Sequence, residues 1–201
     1  MIYADLHIHT MYSSDSIIQP KTLIDMLLKH NFIKVAAITD HDSIRACKIT
    51  KTLASDYPDI LIIPGVEIST TAGDMLIIGT EELPPKPWNP QDIIDYAKAI
   101  DAISIAAHPY RLYGMGDTIK TLQNIDAIEI LNGGSSLTAN QQAKQTAKEL
   151  HISGTAGSDA HQTTDLFNVY NKIQTNLNTD NILHAIKKGL ITTVHTTTTN
   201  T

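Results

Sequence analysis

Most of the chain's chemistry-bearing residues fall in short clusters. Asp5-Leu6-His7-Ile8-His9 contains a His-x-His pair, and Thr39-Asp40-His41-Asp42 brackets a histidine with carboxylates. Gly157-Ser158-Asp159-Ala160-His161 offers Asp-x-His, while Glu67 and His108 follow apolar runs of their own. Imidazole and carboxylate donors without thiolate suit zinc, manganese or iron better than softer ions. In an extended strand, side chains two apart share a face, so His7 and His9 can reach one ion together. Each cluster also has a plainer reading: Thr39-Asp40-His41-Asp42, for example, could be a turn with a helix cap. Taken together they favour metals, because burying several carboxylates and histidines with no cation to balance them is costly.

These residues must be positioned by elements that bring distant segments together. Apolar, β-branched runs predict strands at Ile2–Leu6, Lys34–Thr39, Ile60–Ile63, Ile103–Ala107, Ala127–Leu131, Ile152–Ala156 and Leu190–Val194. An extra pair is expected at Val66–Thr70 and Met75–Gly79. Helical spacing predicts helices at Lys21–His30, Ser43–Ser55, Pro90–Ile100, Ser136–Leu150 and Thr179–Lys188. Strands alternating with helices imply an α/β fold with a parallel sheet. About seven such units suggest a closed or nearly closed barrel, with its active site at the C-terminal ends of the strands. Six of the strand ends lead into polar groups: His7 and His9, Asp40 and His41, Glu67, His108, Glu129 and Asn132, and Asp159 and His161. No domain boundary interrupts residues 1–195. The proline-rich stretch Glu82–Pro90 is expected to be a surface connection, Leu112–Asp117 a mobile loop, and the threonine-rich tail 196–201 frayed.

Composition excludes several classes. The chain has 201 residues, 42% of them hydrophobic, enough to bury one core, and a formal net charge of -6. A protein that grips duplex DNA by its phosphates usually carries a basic excess, so tight duplex binding is not expected. The single cysteine, Cys47, rules out a disulfide within the chain, fits a reducing compartment, and reads as a small core residue. No secretory leader or membrane-spanning run is evident, and a cytoplasmic protein is expected.

The blocks Asp5-Leu6-His7-Ile8-His9-Thr10, Ser14-Asp15, Thr39-Asp40-His41-Asp42, Gly65-Val66-Glu67-Ile68-Ser69, Ala107-His108-Pro109 and Gly157-Ser158-Asp159-Ala160-His161 resemble the polymerase and histidinol phosphatase (PHP) phosphoesterases. The resemblance runs from Ile2 to about Val194. It implies a distorted, TIM-barrel-like (β/α)7 barrel holding two or three divalent metal ions. Carried over, His7, His9 and Asp159 would hold one metal, and Glu67 would bridge it to a second that His108 also binds. Asp15, His41 and His161 would hold the third. Asp40 resembles a catalytic carboxylate that orients ligand imidazoles. One departure stands out. Many members have a further histidine in the strand after the bridging glutamate, where this chain reads Gly73-Asp74-Met75-Leu76. Asp74 is the one substitute available, as a ligand or simply as part of a turn.

Paired metals can lower the pKa of a shared water, giving a hydroxide nucleophile at neutral pH, and neutralise phosphoryl oxygens. The expected activity is therefore hydrolysis of a phosphate ester of a small molecule, a nucleotide or an oligonucleotide end. There are 13 lysines but only two arginines. Arg111, three residues after His108, is expected to clamp phosphate, with a surface salt bridge as its alternative. Arg45 is a second substrate candidate. Asn132, beside Gly133-Gly134, either touches substrate or caps a turn. His30, His151, His184 and His195 have no such pattern around them. Two other functions compete: an amidohydrolase-type C–N hydrolase, disfavoured because no lysine stands at a strand end, and a non-catalytic metal-binding module, disfavoured by the near-complete ligand set.

Overall fold

A computed structural model describes residues 1–196 of the chain. Its strands are β1 (Ile2–Ile8), β2 (Val35–Ile38), β3 (Leu61–Thr70), β4 (Gly73–Ile78), β5 (Ile103–Ala106), β6 (Ala127–Asn132), β7 (Ser153–Gly157), β8 (Val169–Ile173) and β9 (Ile191–His195). The helices are α1 (Pro20–Lys29), α2 (Arg45–Ala54), α3 (Pro90–Ala99), α4 (Leu137–Leu150) and α5 (Thr179–Lys187). Their starts follow local chemistry. Pro20 and Pro90 open α1 and α3, where a missing N–H costs nothing. Ser136 and Asn178 cap α4 and α5 by accepting from Ala139 N–H and Asn181 N–H. No helix among the described residues is long and apolar enough to cross a membrane.

The sheet runs in the order β7-β6-β5-β4-β3-β2-β1-β8-β9. It curls into the expected nearly closed, distorted barrel. Antiparallel β4 is inserted between β3 and β5, so β1–β3 and β5–β7 all point the same way. At the C-terminal end β7 closes onto β1: Asp159 N–H donates to His7 O (2.8 Å) and His9 N–H to Ala160 O (3.1 Å). Lower down, Asn171 on β8 fills the gap. Its Oδ1 accepts from Ala156 N–H (2.8 Å), and its Nδ2 donates to Ala156 O (2.6 Å) and Ala4 O (3.1 Å).

Three expectations are corrected. Ile60–Ile63 and Val66–Thr70 are one strand, because β3 does not stop at Pro64-Gly65 but changes partner there, from parallel β2 to antiparallel β4. Strand β8 was not expected at all; its polar Asn171 and Lys172 break the apolar pattern, and Asn171 is buried as a cross-link rather than as core. The Leu112–Asp117 loop is pinned rather than loose. Gly114 N–H donates to Arg111 O (2.9 Å), Gly116 N–H to Pro109 O (2.7 Å), and Asp74 N–H to Tyr113 O (2.8 Å). Of the tail, Thr196 is bonded to Asn168 O and Phe167 O; the remainder lies outside the described residues.

The alternation of the strands sets what the barrel encloses. Ala4, Leu6, Val35, Ala37, Ile63, Leu76, Ile78, Ile103, Ile105 and Ala127 form one interior cluster, floored by Ile182 and Ile186 of α5. Their neighbours Ile8, Ala36, Ile38, Val66, Ile77 and Ile128 face outward onto the helices. Continued strictly, this period of two would turn His7 and His9 outward with Ile8 inside. The β1 register slips between Asp5 and Ile8, which resets the alternation and aims both histidines into the mouth. A second slip, between Glu129 and Leu131 on β6, lets both Glu129 and Asn132 point inward.

Candidate metal centre

The barrel mouth gathers the residues singled out in the sequence into three overlapping groups. His7, His9, Glu67 and Asp159 form one; Glu67, Asp74 and His108 a second; His9, Asp15, His41 and His161 a third. Within each, one donor atom per residue lies within 4.8 Å of every other. The first group is buried. His7 Nε2 lies 3.1 Å from His9 Nε2, 3.1 Å from Glu67 Oε2 and 3.4 Å from Asp159 Oδ1. His9 Nε2 is 3.0 Å from Glu67 Oε2 and 3.2 Å from Asp159 Oδ1. Four donors around an ion at about 2.0–2.1 Å in a tetrahedron would be separated by about 3.3 Å, which is the spacing found.

The outer nitrogens of the imidazoles fix which nitrogen faces inward. His7 Nδ1 bonds Glu129 Oε1 (3.0 Å), and His161 Nδ1 bonds the carbonyl of Asp159 (2.8 Å). A carbonyl can only accept, so His161 Nδ1 carries hydrogen, and in the neutral ring Nε2 presents a lone pair to Asp15 Oδ2, 3.2 Å away. His9 Nδ1 is 3.1 Å from Ser13 Oγ, which also accepts from His41 N–H (2.8 Å). Lone pairs thus face carboxylates, a repulsive arrangement unless a cation or extra protons intervene. The donor set fits divalent cations on this ground.

The electrostatics carry the same message. Burial pushes the His7 and His9 imidazoles down, but the surrounding carboxylates win: His7 is raised well above the usual range and His9 to about 9. Burial opposes ionisation of Glu67 and Asp159, yet the adjacent histidines hold both well below the usual carboxylate range. Asp74, buried and close to Glu67, is pushed up to about 6. With protons alone to balance it, the cluster must take them up; a bound cation would displace them.

Two of the site's residues carry backbone strain. His108 (φ 26°) and Asp159 (φ 54°) sit in left-handed conformations that cost non-glycine residues about 1–3 kcal/mol each. Gly157 lies directly beneath the site: a Cβ there would stand 2.2 Å from His7 Cβ and 2.5 Å from Glu129 Oε1.

The other residues singled out in the sequence each have protein partners. Asp40 touches no imidazole. It accepts from Thr10 N–H (2.6 Å) and Thr10 Oγ1 (2.8 Å) and neighbours the Ser13 hydroxyl, so it reaches His9 only through Ser13. Arg111 takes its salt-bridge alternative, with a buried partner: the half-exposed guanidinium pairs with Asp159 Oδ2 in the mouth and lies 3.5 Å from Asn132 Oδ1. Arg45 leans over the Tyr12 ring, 5.3 Å from its centre. Asn132 is buried. Its Oδ1 accepts from Gly134 N–H and Ser135 Oγ, the turn cap that was one of its two expected roles, and its Nδ2 donates to Glu129 Oε2 (2.9 Å) and Asp159 Oδ2 (3.3 Å).

Two supporting carboxylates had no role assigned from sequence. Glu129 binds His7 Nδ1, His108 N–H (2.9 Å) and Asn132 together. Asp5 accepts from Ser158 N–H (2.9 Å) and Phe167 N–H (3.3 Å), tying the loop after β7 to β1. Glu129's inward place in the alternation of β6 was a usable signal; Asp5, between inward Ala4 and Leu6, gave none.

Beside the cluster opens a cavity of about 590 Å³, lined by Ser14, His41, Ser69, Thr70, Ala72, Gly73, Asp74, Tyr113 and Gly114.

Comparison with known proteins places the chain. A family model described as PHP-associated matches residues 138–191. An uncharacterised Methanocaldococcus jannaschii protein, MJ1587, is 35% identical over 141 residues, spanning 64% of this chain and 81% of its own. A Bifidobacterium adolescentis structure, provisionally assigned as a metal-dependent phosphoesterase, superposes with a TM-score of 0.65 at 14% identity, covering 79% of this chain and 87% of that one. A Chromobacterium violaceum structure, described as an amidohydrolase with bound sulfate and no metal, gives 0.69 at 17% identity over 94% and 97%.

Proposed function

The chain belongs to the PHP family, and we propose that it is a metal-dependent hydrolase acting on phosphate esters of small molecules, nucleotides or oligonucleotide ends. One observation carries the reading: inward-facing imidazole lone pairs and carboxylates converge on Glu67 at the edge of an open cavity. Divalent cations held by His7, His9, Glu67, Asp159, His108, Asp74, Asp15, His41 and His161 would supply a Lewis acid and a water acidified toward neutral pH. The chain's own groups do the rest. Glu129, Ser13 and the Asp159 carbonyl hold three imidazoles in the tautomer that turns Nε2 inward. Arg111 and Asn132 hold the outer oxygen of Asp159. Ser14 offers a hydroxyl donor to an entering phosphoryl group, and Tyr113 an aromatic face to its leaving group; the Thr70 hydroxyl already donates to Gly73 O and the Ser69 hydroxyl to Asp74. Among the described residues no lysine or arginine lines the cavity, so the charge of a phosphate ester has to be balanced at the metal cluster.

The sulfate of the C. violaceum structure, a tetrahedral oxyanion, accords with this reading, whereas that protein's description as an amidohydrolase supports C–N hydrolysis as the second one. Against the second reading, none of the buried polar groups among the described residues is a lysine, and Glu67, shared by two ligand groups, would be the residue to bridge two metals. Hydrolysis of an aryl phosphate and of a panel of cyclic and linear amides, by protein reconstituted with manganese or zinc, separates the two. Phosphate release without amide cleavage is expected. Amide cleavage alone would reverse the assignment, and bound metal with neither activity would make the chain a binding module.

A further inference from the structure

Asp74 is not a turn residue. The alternation of β4 puts Asp74, Leu76 and Ile78 on the inner face of the barrel, with Met75 and Ile77 outside. Its backbone is fixed on both sides, by Asp74 N–H to Tyr113 O (2.8 Å) and Ala107 N–H to Asp74 O (3.2 Å). Gly73, at φ +136°, lies so close to Met115 that a Cβ would stand 2.4 Å from its backbone nitrogen, which holds the start of the strand in place. The Asp74 side chain is buried, within 4.8 Å of donor atoms of Glu67 and His108. Two buried carboxylates therefore face each other, and His108 Nε2, 2.9 Å from Glu67 Oε1, completes the group. The Ser69 hydroxyl hydrogen-bonds the Asp74 carboxylate, but no lysine or arginine stands among the groups that act most strongly on it. Such an arrangement calls for a cation.

The donors differ from those of the flanking groups. The first pocket offers two imidazoles and two carboxylates, and the third offers three imidazoles and one carboxylate. The second offers one imidazole and two carboxylates. Imidazole favours zinc and its neighbours, whereas carboxylate and water favour manganese and magnesium. Asp74 also lines the open cavity, where water can complete the coordination of a harder ion.

We propose that the Glu67–Asp74–His108 pocket selects a harder, oxygen-preferring divalent cation of the manganese type than the two pockets beside it, which hold more imidazoles, and that Asp74 makes the distinction. The centre is then mixed in metal composition. This rests on the metal-centre reading given above.

The test is metal exchange, read without any activity assay. Chelator-stripped protein is loaded with manganese and titrated with zinc in metal buffers. Zinc and manganese per chain are measured by mass spectrometry, and the retained manganese by its paramagnetic resonance spectrum. Wild type should surrender its manganese in two stages, the last equivalent resisting zinc. In Asp74→His that last stage should move toward easier replacement by at least about tenfold, the lower end of what even an outer partner of a metal ligand is worth. Coincident exchange curves for the two proteins would overturn the role of Asp74 while leaving the metal centre standing. Binding of no metal by wild type would remove both. Should Asp74→His not fold, the isosteric Asp74→Asn decides: it should lose the resistant equivalent and keep the others, and retention of that equivalent at unchanged affinity would equally overturn the proposal.

Discussion

Replacing Glu129 with glutamine isolates how the centre holds its histidines. Glu129 is buried and accepts three hydrogen bonds: from His7 Nδ1 at 3.0 Å through Oε1, and from His108 N–H and Asn132 Nδ2, both at 2.9 Å, through Oε2. Glutamine has the same shape but only one acceptor oxygen. That oxygen will take the side with two donors, which leaves its NH2 facing His7 Nδ1. His7 must then present a lone pair at Nδ1 and a hydrogen at Nε2, the wrong form for a ligand. The change forfeits one charge-assisted hydrogen bond, about 1.5–3 kcal/mol. At about 1.4 kcal/mol per decade, metal affinity in the first pocket should fall by about one to two orders of magnitude, the range known for outer partners of ligand histidines. Calorimetric titration of stripped protein in metal buffers measures it, with circular dichroism to show that the fold is kept. Affinity unchanged within about twofold would refute the inference that Glu129 sets the tautomer through which His7 binds.

Three further outcomes are expected. Arg111→Ala, which strips Asp159 of its guanidinium partner, should weaken first-pocket metal binding about tenfold along with phosphate-ester turnover; lost turnover with metal affinity intact would restore Arg111 to a phosphate clamp. Asn171→Ala leaves three backbone groups of Ala4 and Ala156 without partners, so urea unfolding should show a loss of about 3 kcal/mol, and a loss well under 1 kcal/mol would mean that the barrel closes without this cross-link. Burial pushes the Cys47 thiol up to about 11, while an unfolded thiol ionises near about 8.5. The unfolded state thus binds fewer protons between those values, and stability should decline as pH rises through that window. Native Cys47 should also resist thiol reagents at pH about 8 and react on unfolding; rapid labelling of the native protein would show the site to be open.

The legible parts of this molecule were those written as local pattern. Strand-end placement identified His7, His9, His41, Glu67, His108, Asp159 and His161, and the structure brings all of them to one mouth. Asp15, which came from resemblance rather than spacing, stands with His41 and His161. What escaped was set by tertiary partners. Pro64-Gly65 reads as a strand end, yet β3 continues because a second partner takes over. Asn171 reads as an interruption, yet it cross-links the barrel. The partner in the alternative salt bridge of Arg111 could not be named because Asp159 lies 48 residues away. Asp74 was ambiguous between ligand and turn until the inward alternation of β4 was fixed by pairing to β3 and β5.

Glu67 lines two of the three pockets and approaches His41 of the third, with His41 Nδ1 3.3 Å from Oε2. Metal content per chain in wild type and Glu67→Gln is therefore the most direct test. Wild type should bind at least two equivalents, and Glu67→Gln should lose ions from both pockets that share it. A wild-type chain that binds none, or a Glu67→Gln chain that keeps every ion, would contradict a metal centre built around Glu67.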